Sequence, residues 1–589
     1  MILQALTRHY EDLLKRGDIA APGWSPAKIS FALCLSADGE LTQAIPTTEE
    51  KKLGNKTVRL PISKPLPAAV KRSSGVAANF LWDNSAYLLG VDQKGKPERS
   101  RECFAAATAL HHAVLDGVDS PMARAILAFF DTWQPESAAT HPALNDRFND
   151  VTAGRNLVFW FDGRYPNDDN AICAAWQRYY DAAGEEDPVR MQCLVTGRMD
   201  EIAAVHPSIK GVQGAQSSGA ALVSFNAPAF CSYGREQNYN APVGKYAAFA
   251  YTAALNHLLA DRDNVHRIGD TTVVCWAEGA DPAYQDFTAI LFGGAAPGLS
   301  DNDLRSALKQ LANGLPCPEL GLDPDRPFYV LGLAPNAARL SVRFFLRDTF
   351  GNLMRNVNGH YERLEIVRPS FAKSGVLPLW ELLQETVNLK SNDKRPSPVM
   401  VGATTRAVFT GEPYPVSLLN AVLLRICAER EITWGRAAIL KAYLMRNIIG
   451  QRENDTVIKG VADVKLNENC AYMPYALGRL FSVMEQIQIL SAGGKLNRSI
   501  KDGYFNAATT APMYTFTKLL QLNEHHMKKL MRDDPKNGVY YSRLKNSILA
   551  QIEEPIPVRF SQEEMICFYL GYYHQTQKRY TKKEEKENG

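Results

Sequence analysis

Strand-forming segments stop near Ile366, and this asymmetry constrains the chain more than any other feature. Before that point, short runs rich in Val, Phe and Tyr are separated by helical stretches. Beyond Pro378 apolar residues recur almost only at spacings of three and four. A chain of 589 residues also exceeds what one hydrophobic core usually serves. The expectation is an α+β protein: a large mixed α/β region over residues 1–370, a helical connecting region at 371–470, a helical bundle at 471–576 and a charged tail at 577–589.

Local signals place the elements. Ile2, Leu6, Tyr10, Leu13 and Leu14 share one side of a first helix that ends near Gly17. Asp38-Gly39 marks a hairpin turn within KISFALCLSADGELTQAI, because both residues tolerate positive φ. The basic segment Lys51 to Pro67, interrupted by prolines, reads as an extended loop, and NFLWDNSAYLLGVD as a second hairpin. Later strand candidates are NLVFWF, MQCLVTG, GAALVSF, DTTVVCWA, RPFYVLGLA and ARLSVRFFL. In the bundle, Leu477, Leu480, Phe481, Met484 and Ile487 form one stripe, and Phe516, Leu519, Leu520, Met527, Leu530 and Met531 a second. A third helix carries Tyr541, Leu544, Ile548 and Ile552; a fourth opens on Ser561 and Glu564, the pattern of a capping box.

The formal net charge of +3 hides two basic regions. Residues 51–101 hold 11 Lys+Arg against 3 Asp+Glu, and residues 471–589 hold 17 against 12. Two such regions in a nearly neutral chain suit a polyanion touched at two places, or two solvated surfaces. No apolar run reaches the roughly 20 residues of a membrane span, and charge interrupts the N-terminus where a signal peptide needs apolar residues, so no membrane contact and a cytosolic setting are expected. Ten scattered cysteines form no CxxC pair and are expected to be reduced and mostly buried. The three Gly-Lys pairs continue as GKP, GKY and GKL, which excludes a P-loop, and no HExxH occurs. The pairs His111-His112 and His525-His526 point about 100° apart on a helix and suit no shared metal. No cofactor, metal or catalytic residue is therefore expected. The enzyme alternatives are a metal-dependent nuclease and a serine acyl-transferase, the latter suggested by SPAK at 25–28, SDN at 300–302 and KSG at 373–375.

Two segments carry the chemistry of nucleic-acid contact. Lys71 and Arg72 precede Ser73, Ser74 and Gly75, which places two cations beside two hydroxyls on a flexible backbone, with Asn79 close behind. Gln213, Gln216, Ser217, Ser218, Asn226, Gln237, Asn238 and Asn240 gather with few charges in the second. Amides and hydroxyls read base edges, whereas Lys and Arg position phosphates. Both segments read equally well as turn clusters between strands, with Asn79 and Asn226 as buried turn-formers.

The phrases MILQALTRHYEDLL, KRSSGVAANFLWDNSAYLLGVDQKGKPERS, GAQSSGAALVSFNAPAFCSYGREQNYNAPVG, YVLGLAPNAARLSVRFF and AYMPYALGRLFSVMEQIQ, in that order from end to end, resemble the large subunit of the subtype I-C CRISPR surveillance complex, Cascade. The resemblance implies a non-catalytic subunit of a crRNA-guided ribonucleoprotein. Such a subunit recognises a PAM duplex, promotes unwinding of double-stranded target DNA into an R-loop and presents a surface to the helicase-nuclease. The implied partners are crRNA, target DNA, the Cascade backbone and crRNA-processing subunits, and a small subunit made from an internal start, for which Met473 and Met484 are candidates. Under this resemblance Lys71, Arg72, Ser73, Ser74, Asn79, Gln213, Gln216, Ser217, Ser218, Asn226 and Asn240 are the candidates for PAM contact. Lys518, Lys528, Lys529, Arg532, Arg543 and Lys545 are those for the displaced strand.

Overall fold

The structure is a computed structural model that describes all residues except 54–55, 71, 73–74, 183–187, 292–299, 370–371, 373–376, 452–455, 495 and 588–589. The fold is α+β, and among the described residues every strand precedes Phe350. The chain divides into two compact units: Leu3–Pro207 with Phe225–Ala254, and Ser208–Ser224 with Leu255–Gly589.

In the first unit the helix Ile2–Arg16 ends at Gly17, whose φ of 79° an L-residue would adopt only under strain. Phe31–Leu35 pairs with Leu41–Pro46 across the Asp38-Gly39 turn and runs parallel to Asn156–Phe161, which in turn pairs with Trp82–Asn84. The helices Pro97–Leu115 and Pro121–Thr132 pack Cys103, Ala107, Ile126, Phe129 and Phe130 into the same apolar core as Leu33, Leu157 and Phe159.

The basic segment expected as a loop is instead a strand pair. Thr48–Leu53 pairs antiparallel with Lys56–Pro61 in the first half of the strand Lys56–Pro67, and Trp24–Ile29 pairs with its second half, Ile62–Pro67. Each half therefore has one unpaired side, which is where a strand accepts Pro61 and Pro65 without losing a ladder bond. NFLWDNSAYLL is likewise no hairpin: the strand Trp82–Asn84 passes into the short helix Ser85–Leu88, where the Asn84 side chain caps Ala86 N–H. GAALVSF forms only isolated bridges, and MQCLVTG only the short strand Arg190–Gln192 before a turn.

His111 is fully buried, and its two nitrogens have fixed roles: Nδ1 donates to Ala107 O at 2.7 Å, and Nε2 accepts from Leu81 N at 2.9 Å. Leu81 has a φ of 68°, so this bond holds a backbone conformation that a branched side chain disfavours. Burial pushes the His111 imidazole down to about 4. The unfolded chain, with His near 6.5, takes up protons first as pH falls, so stability present above 6.5 is lost toward pH 4, by up to about 3 kcal/mol from this group. We expect the unfolding midpoint to drop between pH 6.5 and 4.5, and to drop less in His111→Gln; an equal drop in both would remove His111 from this account.

The second unit begins with the antiparallel strands His266–Ile268, Thr271–Ala277, Pro327–Asn336 and Arg339–Thr349, paired in that order. Thr271–Ala277 is buried along its whole length, as the apolar run Val273–Ala277 requires. One apolar core then runs from Ile268 to Tyr573. The boundary expected near residue 471 thus falls within a continuous core, and the helix Gln562–Glu587 runs through the position where composition set the start of a tail.

The bundle consists of Met473–Ser491, Ile500–Thr510, Pro512–Asp533, Pro535–Leu549 and Gln562–Glu587, and the Ser561–Glu564 capping box is formed. Ile500–Thr510 is an addition to the four helices expected. Met473–Ser491 is buried almost all round, and its contact with Gln562–Glu587 is partly polar. Arg479, 2% exposed, donates to Gln551 Oε1 at 2.9 Å and to Glu468 O at 3.0 Å; Tyr475 bonds His574 at 2.9 Å, and Tyr572 donates to Glu485 at 2.7 Å. Such groups are tolerated in a core only because each has partners.

Candidate nucleic-acid interface

The loop between Lys56–Pro67 and Trp82–Asn84 is organised from within. The Arg72 guanidinium grips the Asp83 carboxylate with both terminal nitrogens, one of them at 3.0 Å from Oδ1, while Nε donates to Ala77 O at 2.6 Å. The same guanidinium lies 4.0 Å from the centre of the Tyr87 ring. Burial opposes the Arg72 charge, but hydrogen bonding and charge from Asp83 outweigh it and raise its pKa. Asp83, 1% exposed, also accepts from Asn79 N at 2.9 Å and Asn84 N at 2.8 Å. Asn79 is buried, and its Oδ1 accepts from Val70 N at 2.9 Å. Arg72 and Asn79, both candidates for PAM contact, also hold the loop together, and Arg72 remains exposed while the Asn79 side chain is buried. Lys71, Ser73 and Ser74 lie outside the described residues.

Asn226 and Asn240 sit in another loop of this unit, and the structure separates their roles. Asn226 is exposed. Asn240 accepts from Ser232 N at 2.8 Å and donates to Arg235 O and Gln237 O, both at 2.9 Å, which consumes its side chain. The loop it closes carries Tyr233, fully exposed with φ 55°, and Gln237 with φ 47°. An exposed ring held in a costly backbone conformation is a platform on which a base can stack. The pattern Ser-Tyr-Gly-Arg contained this residue, yet a tyrosine beside glycine signals a turn as readily as a presented ring.

In the second unit Ser208–Ser224 forms an excursion from the sheet. Ile209 bridges Ala220, Ala221 bridges Arg339, and Gln213 N donates to Thr272 Oγ1 at 3.1 Å. Gly219, with φ 105°, passes so close to Ser208 that an added Cβ would lie 2.7 Å from the Ser208 Cβ. This pinch leaves Gln213, Gln216, Ser217 and Ser218 exposed together at the tip. Side-chain amides and hydroxyls so displayed can donate to and accept from base edges at the same time.

On Pro512–Asp533, Lys518, Lys528, Lys529 and Arg532 are exposed, and helical geometry puts them within an arc of about 100° along about 21 Å. Arg532 bonds its neighbour Asp533 at 2.8 Å on the surface. Arg543 is exposed on Pro535–Leu549. Lys545 is not available in the same way, because it is buried and paired with Glu524 Oε1 at 2.8 Å.

The acyl-transferase pattern lacks its geometry. Ser25 and Lys28 lie in the extended strand Trp24–Ile29, where residues three apart point to opposite faces instead of meeting across one helical turn. Ser300 caps the helix Asp301–Ala312 through Asp303, and Lys373 lies outside the described residues. Among the described residues no three His, Cys, Asp or Glu side chains gather as metal ligands, and no helix is long and apolar enough to cross a membrane.

A comparison with curated proteins yields no match. The family Cas_Csd1, described as CRISPR-associated protein, matches residues 6–580, a span that holds the Asp83-centred loop, both polar loops and the cationic helix. Nearly the whole chain is thus accounted for in agreement with the phrases that resemble a subtype I-C large subunit, and it belongs to the Cas_Csd1 family of CRISPR-associated proteins.

Proposed function

We propose that this chain is a non-catalytic DNA-recognition subunit of a Cascade ribonucleoprotein. It reads a PAM duplex through its exposed polar loops, promotes R-loop formation, retains the displaced strand on its cationic helix and offers a surface to the helicase-nuclease. The observation that carries this reading is the tip formed by Gln213, Gln216, Ser217 and Ser218, where four uncharged readout groups are displayed by a pinched backbone. Base pairing with the crRNA supplies most of the specificity in such a complex, so a few readout groups and phosphate contacts suffice.

The test is gel-shift binding by the assembled complex to target duplexes carrying every PAM variant. Gln216→Ala and Asn226→Ala are each expected to narrow the preference for the favoured PAM by roughly 10- to 100-fold, the value of one good base contact. Unaltered preference in both would move readout elsewhere. Cleavage of labelled DNA by the purified chain with divalent metal would favour the nuclease alternative.

A further inference from the structure

We propose that Arg363 and Arg446, gathered around Tyr414 in the second unit, form a binding site for a phosphate group. Three segments build it. On the helix Phe350–Leu364, Asn356, Gly359, His360 and Arg363 recur at three-and-four spacing and so share one face. Tyr414 follows the helix Pro398–Thr410, which ends at Gly411, and Arg446 lies in one wide π-type turn, Leu444–Ile448. Such turns are rare and frequently accompany functional sites.

Tyr414 is the fixed centre. It is 3% exposed; its N donates to Asn447 Oδ1 at 3.0 Å, Asn447 Nδ2 donates to its O at 2.8 Å, and its hydroxyl bonds His360 Nδ1 at 2.6 Å. The guanidinium carbons of Arg363 and Arg446 lie 5.9 Å and 5.4 Å from the centre of its ring. Two glycines leave room for them: an added Cβ at Gly359 would lie 3.1 Å from Arg363 Nη1, and one at Gly411 would lie 3.1 Å from Arg446 Nη2.

Two like charges thus face one aromatic ring without a counter-charge. Among the described residues neither arginine forms an ion pair, while Glu412 is engaged by Arg406 at 2.8 Å and Glu362 by Asn358 at 2.9 Å. Arg363 Nε and Nη2 and Arg446 Nη1 are buried with no hydrogen-bond partner. Burial and the charge of Arg363 lower the Arg446 pKa, and burial together with both arginines pushes His360 down to about 3. Buried donors left unpaired are costly, and an anion would satisfy them. A planar carboxylate fills one guanidinium fork, whereas a tetrahedral phosphate offers diverging oxygens to two forks at once. Both arginines are only half-buried, which leaves an approach from solvent. The site is separate from the polar loops and the cationic helix, so it stands or falls apart from the DNA-recognition reading.

The test uses the purified full-length chain and inorganic phosphate. Replacing chloride by roughly 20 mM phosphate at equal ionic strength should raise the wild-type unfolding midpoint by roughly 2 °C. Arg363→Gln and Arg446→Gln should each lose that rise while unfolding no earlier than wild type in chloride, since each removes one of two repelling charges. Lys390→Gln, at an exposed cation elsewhere, should keep the rise. Arginine modification by phenylglyoxal, followed by peptide mass, needs no variant: phosphate should protect Arg363 and Arg446 and leave the exposed Arg430 reactive. A short oligothymidylate identifies the source, because protection by both probes assigns the site to a strand backbone and protection by phosphate alone to a free or terminal phosphate. An equal rise in wild type and both Gln variants, equal effects of acetate and phosphate, or unprotected Arg363 and Arg446 would overturn the proposal.

Discussion

A single methyl group added at Gly478 is expected to break the C-terminal bundle. Its Cβ would lie 2.0 Å from Phe568 O, and the Cβ of a residue at position 571 would lie 2.2 Å from Tyr475 O. In both cases the obstacle is the backbone of the facing helix, which cannot rotate aside as a side chain can. Met473–Ser491 and Gln562–Glu587 must then separate along their whole contact, weakening the bonds of Tyr475 with His574 and of Arg479 with Gln575. Gly478→Ala and Gly571→Ala should each cost at least about 3 kcal/mol, the upper end for overpacking a core. Gly503 is the control, since a Cβ there meets nothing within 4 Å, and Gly503→Ala should stabilise by up to about 1 kcal/mol through helix propensity. Unfolding of the full chain followed by circular dichroism reads all three, and equal midpoints for Gly478→Ala and Gly503→Ala would refute the close-contact account.

The same helix bears on where an internal start, if one is used, would fall. A product opening at Met473 keeps the helix Met473–Ser491 entire, with Pro474 in its first turn, where the missing N–H costs nothing. One opening at Met484 would lack Tyr475, Gly478, Arg479 and Ser482, removing the bonds they make to His574, Gln575 and Thr576. A small subunit made from an internal start, as the proposed function implies, should therefore have the mass of residues 473–589, and a mass matching 484–589 would exclude this choice.

The second large effect is expected on the displaced strand. Lys518, Lys528 and Lys529 share one exposed face, so replacing all three with Ala should remove about three phosphate contacts. For a single strand that makes the salt slope shallower by about 2 and weakens binding near 0.1 M salt by roughly 100-fold. Lys545→Ala makes the contrast, because this side chain is buried against Glu524 and its loss should lower stability while leaving the slope unchanged. The measurement is strand-displacement binding by the assembled complex with a fluorescent non-target strand. A triple variant that retains wild-type affinity and slope would place the strand on another surface.

Much of the architecture was legible because it follows from local rules. Three-and-four spacing marked the bundle helices, Asp38-Gly39 marked a hairpin, and Ser561 with Glu564 marked a helix start. The misreadings have a common origin in pairing. Prolines at 61 and 65 argued for a loop, yet the strand they interrupt changes partner midway, and no local window reveals that each half has a free side. GAALVSF has strand composition, but Ser208–Ser224 is anchored on the sheet by isolated bridges, so its polar tip remains free.

Sequence by itself determined the bundle helices and several of the strands, which of their faces are apolar, and that polar and cationic residues concentrate in two loops and one bundle. Only the tertiary structure decided which of those residues are presented. Arg72 pairs with Asp83, 11 positions away, while staying exposed; Lys545 is buried against Glu524, 21 positions away; the Asn79 side chain is buried and that of Asn240 bonds within its own loop, whereas Gln216, Lys518 and Tyr233 are exposed. Periodicity is a property of neighbours along the chain, whereas the pairing of a charge depends on which groups the fold brings within a few ångströms, where Coulomb attraction and burial act together.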